Sequence, residues 1–498
     1  MTAGDLSLTP ATELASRISS GAVSAADVLE ASLARHDQLN PVVNAVVVTR
    51  LDDARARARA ADEAHARGES WGPLHGVPMT VKEAFDWAGT PTTWGNPDWA
   101  GNVADADAVA VRRLLDAGAV VYGKTNVPLM LSDWQTYNDV YGTTNNPWDV
   151  ARVPGGSSGG AAAALATGMA ALELGSDIGG SIRNPAHFCG VFGHKPTFGV
   201  VPTQGHEPPG WRSPLDIAVC GPLARSADDL ALALGVLAGP AGPDAAGYRL
   251  ELPAEERDTL DGFRVGVMAD TPVIANSTAM LDVLANAVDA LGAAGADVAE
   301  AAPRIDQHEY FDNYLMLLRS ATGALADAAA FDAARAGAQG YAQGERDLGT
   351  RVDHAMTMTH REWFAHHERR EQYRWAWAEF FDEFDLLLCP TAASAASVHD
   401  HSGTRVSRTV DVDGVAHPCM DQLFWAGWSC NAYLPSTVAP VGFTAAGADG
   451  VAGALPVGIQ IVAPHLADLR SIRYASLIER TLGGFTPPPL VLGQAAAG

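Results

Sequence analysis

What this 498-residue chain has little of narrows its role before any motif is considered. Cysteine occurs five times, at irregular spacing and without a C-x-x-C pair. That excludes a disulfide framework and a thiolate zinc site, and it points to the reduced thiols of a cytoplasm. Basic residues are outnumbered, 33 Lys and Arg against 58 Asp and Glu, for a formal charge of −25. Such a surface repels phosphate backbones, so no nucleic-acid partner is expected; its main effect is solubility. No run of about 18 apolar residues could cross a bilayer, and MTAGDLSLTP has neither a basic n-region nor an apolar h-region. The chain is therefore expected to be cytoplasmic, with no membrane partner.

What is present is a globular composition, 47% hydrophobic and 18% charged. One stretch, Gly155 to Thr197, is dense in small residues. In Gly155-Gly156-Ser157-Ser158-Gly159-Gly160 four glycines let the backbone approach other groups closely and set two hydroxyls on a tight turn. In Ser176-Asp177-Ile178-Gly179-Gly180-Ser181 glycines again precede a serine, so that successive N–H groups converge as they do in an oxyanion-binding nest. Ala161 to Leu174, between the two, has the propensity of a buried helix.

Elsewhere, apolar spacing predicts two helices between Thr9 and Asp37, broken at Gly21, and a third over Leu51–Arg67. Residues 241–262 read as a loop excursion, Phe263–Met268 as a strand, and Ile305–Phe384 as mostly helical, either a lid over a site or an outer layer. Ser394–Asp413 reads as a loop near an entrance. Leu455–Val462 reads as a strand, Leu469–Leu482 as a final helix, and Gln494–Gly498 as a disordered tail. His366-His367 lacks a third ligand at recognisable spacing, so no metal site is expected.

Two motifs are decoys. Gly118 to Thr125 satisfies GxxxxGK[ST], but Ala119–Tyr122 is an apolar strand and cannot form an exposed phosphate loop. Gly155 to Gly159 satisfies GxSxG without the hydrophobic strand that such an elbow needs. Lys82, closing the apolar run Leu74 to Lys82, has two readings from the residues alone: a surface cation beside Glu83, or a buried amine.

These residues resemble the amidase signature family of serine hydrolases. The GGSSGG box falls on Gly155–Gly160, the nucleophile box on Asp177–Arg183, and the closing segment on Phe188-Cys189-Gly190 through Lys195-Pro196-Thr197. Further matches lie at Gly76–Glu83, Gly123–Asn126, Asp385–Thr391 and Leu455–Gln460. The resemblance, to fatty acid amide hydrolase-type and bacterial amidases, covers most of the chain. The membrane-anchoring helix that some of the former carry is not expected in this chain.

The resemblance implies an α/β fold, a large mixed β-sheet flanked by α-helices, in a single large domain. Residues 1–70 would form N-terminal helices packed on the core and 71–235 the catalytic core. Residues 236–384 would be a strand plus a variable helical region, with 385–498 completing the same domain. It implies Ser181 as nucleophile, Ser157 as relay after a cis peptide and Lys82 as buried base, with Ile178, Gly179 and Gly180 beside Ser181 as the oxyanion hole. Ser158, Asp177 and Arg183 would give structural support, the last two as a carboxylate–guanidinium pair. Leu131, Trp134 and Gln135 would touch substrate. Trp94, Phe424, Trp425 and Trp428 are further candidates for pocket walls.

A Ser-His-Asp alternative through His187 or His194 competes, although packed or hydrogen-bonded roles suit both better. The expected activity is cofactor-free hydrolysis of a C–N bond through an acyl-enzyme, on an apolar or aryl small-molecule amide. The alternatives are a carbamate (urethane) or ester hydrolase and, from another class, an amidotransferase subunit. A noncatalytic binding module conflicts with intact Lys82, Ser157 and Ser181. A homodimer is the one protein partner expected of a free-standing enzyme.

Overall fold

Eleven short segments pair into one mixed sheet in the computed structural model, which describes residues 3–342, 344–345, 347–447 and 453–493. The tail Gln494–Gly498 lies outside them. In chain order the strands are β1 (Val46–Thr49), β2 (Pro78–Lys82), β3 (Val120–Thr125), β4 (Leu172–Asp177), β5 (Phe192–Lys195), β6 (Val219–Ala224), β7 (Arg264–Val267), β8 (Asp297–Glu300), β9 (Leu386–Pro390), β10 (Ser436–Phe443) and β11 (Pro456–Val462). They lie side by side as β1-β3-β2-β4-β6-β5-β10-β11-β9-β7-β8. Strands β2, β3, β4, β6, β9 and β11 are buried at every position. Both faces of the sheet are covered there, which suits the apolar run of β9, while β4 also buries Glu173, Ser176 and Asp177.

The register of β2 on β4 positions the polar groups of the motif at one end of the sheet. The two strands run parallel, with Met79 opposite Leu172, Thr80 opposite Glu173 and Val81 opposite Leu174. Lys82, the next residue, therefore finishes beside the end of β4, where Ser176 and Asp177 lead into Ile178–Ser181. On its other side β4 pairs antiparallel with β6.

The predicted Ala161–Leu174 helix is shorter than its propensity implies. It occupies Gly159–Ala166, is capped at Thr167, and is followed by Gly168 in the left-handed region. Leu172–Asp177 is strand β4 because it finds β2 and β6 as partners, and tertiary pairing overrides local preference there. The helices at Ala11–Ser19, Ala25–Val43 and Leu51–Ala66 match expectation, with Ser24 capping the second. The region after Ile305 forms helices Gln307–Gly323, Ala328–Gly337, Leu348–Thr357 and His360–Glu383. Residues 241–262 hold only a short 3-10 turn, Gly242–Ala246. The loop expected at Ser394–Asp413 ends in a hairpin strand, Thr409–Val412 on Val415–Pro418. Among the described residues no helix is long and apolar enough to cross a membrane.

Candidate functional site

Lys82 is buried, and its Nζ donates to Ser157 Oγ at 2.6 Å and to Ser176 Oγ at 2.9 Å. Burial pulls its pKa down from 10.5 to about 7, against the opposing pull of Asp177, Cys220 and Glu173. The buried-amine reading is thus the observed one. Glu83, the partner in the surface reading, turns elsewhere: its carboxylate accepts from Thr93 N–H at 2.6 Å and Trp94 N–H at 2.9 Å, and from the hydroxyls of Thr93 and Tyr141.

The peptide bond between Gly156 and Ser157 is cis. Gly156 could not carry a side chain, since a Cβ there would lie 2.2 Å from the Asp133 carbonyl oxygen. Ser158 joins the two halves of the motif: its N–H donates to the Ser181 carbonyl at 3.1 Å and its hydroxyl to the Ser176 carbonyl at 3.3 Å.

Asp177 organises the loop carrying Ser181. Its carboxylate accepts the N–H groups of Gly180 (2.8 Å) and Ile182 (3.0 Å), and Nε and Nη2 of Arg183 at 3.0 and 2.9 Å. Burial alone would raise the Asp177 pKa, but Arg183 and these N–H donors hold it well below the usual carboxylate range. Arg183 reaches on to Ser429 and the Ala426 carbonyl, tying the loop to the helix Leu423–Cys430.

Two carbonyls of the loop are also held. Tyr314 OH donates to the Ile178 carbonyl at 3.0 Å, and Trp134 Nε1 to the Gly179 carbonyl at 2.8 Å. In a planar trans peptide the N–H points opposite the carbonyl. The Tyr314 bond therefore turns Gly179 N–H away from Tyr314, and the Trp134 bond turns Gly180 N–H toward Asp177. Of the four N–H groups expected to receive an oxyanion, Gly180's is already committed to Asp177. Those of Ile178, Gly179 and Ser181 have no acceptor among the described residues.

Ser157, Ile178, Gly179 and Ser181 line one cavity. Its walls include Trp94, Met130, Leu131, Leu215 and Leu423. Leu318, Arg319 and Thr322 of the helix Gln307–Gly323, with Leu325 just beyond it, close one side. This part of the helical region covers the cavity and is more than an outer layer. Leu131 and Trp94 thus face the space holding the serines, but Trp134 and Gln135 do not. Trp134 packs under the nucleophile loop, where a Cβ on Gly180 would come within 2.8 Å of its ring. Gln135 exchanges hydrogen bonds with the Asp400 backbone, beside a neighbouring cavity. Phe424, Trp425 and Trp428 are core: Trp428 packs edge-on against Tyr310, and Trp425 Nε1 donates to Asn276 at 2.8 Å.

Neither nearby histidine is hydrogen-bonded to a serine of the motif. His187 Nδ1 accepts Gly458 N–H at 2.7 Å and its other nitrogen donates to the Ser394 carbonyl. His194 lies between Thr437 and Asp468. Val120–Thr125 is an interior strand whose Lys124 is bound by Thr92 and the Pro91 carbonyl, so the GxxxxGK[ST] match forms no phosphate loop. No group of three His, Cys, Asp or Glu side chains among the described residues is placed to hold a metal ion. Tyr314, Arg319 and Arg405 of the site were not singled out by sequence, since each comes from a segment far from the motif and has no local signature.

The family described as Amidase matches residues 27–471. The A-type chain of the glutamyl-tRNA(Gln) amidotransferase from Deinococcus radiodurans is 34% identical over 500 residues, covering 94% of this chain and 96% of the relative. A solved chain from a vestigial protein complex, tied to the evolutionary origins of an s-triazine catabolic enzyme, superposes with a TM-score of 0.79 at 30% identity. That match covers 96% of this chain and 100% of the other. A bacterial aryl acylamidase gives a TM-score of 0.79 at 26% identity over 98% of this chain and 99% of its own. With its motif, its eleven-stranded sheet and these matches across nearly the whole length, the chain belongs to the amidase signature family.

Proposed function

We propose that this protein hydrolyses the C–N bond of a small-molecule amide, with Ser181 as nucleophile, Ser157 as relay and Lys82 as terminal base. The observation that carries this reading is the 2.6 Å bond from buried Lys82 to Ser157, in a cavity shared with Ser181. A lysine pulled to about 7 holds a substantial neutral fraction at neutral pH and can take a proton. Ser181 Oγ attacks the carbonyl carbon as its proton passes to Ser157 and a Ser157 proton passes to Lys82. The oxyanion falls to the N–H groups of Ile178, Gly179 and Ser181. The C–N bond then breaks as Ser157 returns a proton to the leaving amine. Water attacks the acyl-Ser181 ester by the reverse path and frees the acid. Carbamates and esters present the same carbonyl, and the apolar walls at Trp94, Met130 and Leu131 suit an apolar or aryl group.

The test is single-turnover cleavage of matched aryl amides, primary amides, aryl carbamates and esters by wild type and Ser181→Ala. Cleavage by wild type alone supports Ser181 and ranks the substrate class; equal cleavage by both rejects the mechanism.

A second reading keeps the same chemistry but makes the chain one component of a larger enzyme, releasing ammonia for transfer. The 34% identity to the amidotransferase chain along nearly its full length favours it, and more directly than any comparison favours a free-standing aryl amidase. Co-purification of a second component, with ammonia release from glutamine rising when that component is added, would establish it. Efficient cleavage of aryl amides by the isolated chain, indifferent to any partner, would reject it.

A further inference from the structure

The cavity holding Ser157 and Ser181 carries two guanidinium groups for which the proton relay has no use. Arg319, on the helix Gln307–Gly323, and Arg405, on the segment before the hairpin, both line it. Neither forms an ion pair among the described residues. Nearby carboxylates are engaged by other arginines: Asp133 by Arg408, Asp216 by Arg370 and Asp177 by Arg183. Glu207 lines the same cavity but accepts Gly205 N–H at 2.8 Å and the Thr203 hydroxyl at 3.0 Å.

Arg319 Nε and both Nε and Nη2 of Arg405 are buried without any acceptor. The contacts these side chains do make are soft. Arg319 Nη2 lies 3.2 Å from Met420 Sδ, Arg405 reaches the Cys419 side chain, and its guanidinium sits over the Trp134 ring, 5.3 Å from its centre. Burial lowers the Arg319 pKa to about 10, and the charge of Arg405 contributes to that lowering, so the two cations feel each other. Both side chains are partly exposed, but nitrogen donors buried without an acceptor are costly. Two such donors converging on one cavity beside a nucleophile mark the seat of an anion.

We infer that the substrate is an amide bearing a carboxylate, which Arg319 and Arg405 hold while the scissile carbonyl lies at Ser181. This rests on the hydrolytic reading above and narrows its substrate. The planar forks of the two arginines match a carboxylate. Glu207 in the same space opposes a second negative charge and so disfavours a phosphate dianion. The rest of the substrate lies against Trp94, Leu131 and Leu318.

The experiment compares glutaranilic acid with hexananilide, a neutral amide of similar length. Binding is measured by calorimetry in Ser181→Ala protein, and hydrolysis in protein with Ser181 intact. The acid is expected to bind at least tenfold tighter. Arg319→Gln and Arg405→Gln are each expected to reduce that preference 10- to 100-fold, with Arg405→Lys restoring part of it. Equal binding of acid and neutral amide, or a preference untouched by both substitutions, overturns the inference. Inorganic phosphate displacing the acid more effectively than glutarate does would overturn the carboxylate assignment. An arginine-dependent binding preference without hydrolysis of either anilide upholds the anion seat and rejects Ser181 chemistry. Hydrolysis of both at equal, arginine-independent rates does the reverse.

Discussion

If Lys82 is the terminal base, the rate must follow its neutral fraction. Burial lowers its pKa from 10.5 to about 7, a bias against the ammonium on the order of 5 kcal/mol at about 1.4 kcal/mol per unit. With that value, about a tenth of the lysine is neutral at pH 6 and about nine tenths at pH 8. Single-turnover kcat/KM for an aryl amide should therefore rise roughly tenfold from pH 6 to a plateau above pH 8. The profile has to be separated from Glu173, which burial pushes up to about 8 and whose charge raises Lys82. Glu173→Gln should keep the inflection and move it downward, because it removes a negative charge that favours the ammonium. Lys82→Arg should abolish the inflection, since guanidinium stays charged, and lower the plateau by a factor on the order of 10² to 10⁴. A flat wild-type profile between pH 6 and 8, or an inflection that persists in Lys82→Arg, would refute the assignment.

Three other outcomes are expected. Because the folded-state pKa of Lys82 is depressed, the unfolded chain binds one more proton between about pH 7 and 10.5, and stability rises with pH through that window. Urea unfolding at pH 7 and pH 9 should show wild type gaining about 2 kcal/mol relative to Lys82→Met, and no relative gain would contradict the depressed value. Arg183→Met leaves Asp177 buried without its cation and should cost about 3–5 kcal/mol, read as a lower thermal midpoint that Asp177→Asn partly restores. Tyr314→Phe removes the bond that orients the Ile178–Gly179 peptide, and about 1 kcal/mol of lost orientation should appear as a several-fold lower kcat at unchanged KM. An unchanged kcat would remove Tyr314 from the site.

The chemistry is legible in the sequence where it is written in contiguous small residues. Gly155–Gly160 and Asp177–Arg183 announce close backbone approach, and the structure brings both to the end of β4 with Lys82 beside them. What stays hidden depends on partners far along the chain. Gly168, left-handed at the helix end, is the local sign that separates Leu172–Asp177 from the alanine run, and pairing with β2 and β6 makes that segment a strand. Tyr314 and Arg319 belong to a helix whose approach to the cavity is a tertiary event.

Trp134 shows the same limit at short range. Its place three residues after Leu131 suggests a shared pocket wall, and an extended chain would keep the two close to a common surface. Met130 and Leu131 instead adopt φ of 52° and 57°, a region that neither residue type signals. The chain turns there, leaving Leu131 in the cavity and carrying Trp134 beneath the loop to bind the Gly179 carbonyl. The tryptophan therefore holds the Gly179 carbonyl and lines the neighbouring cavity rather than the one with the serines. Substitutions at Trp134 should accordingly lower kcat for neutral amides alike, whereas those at Leu131 should change which of them is preferred.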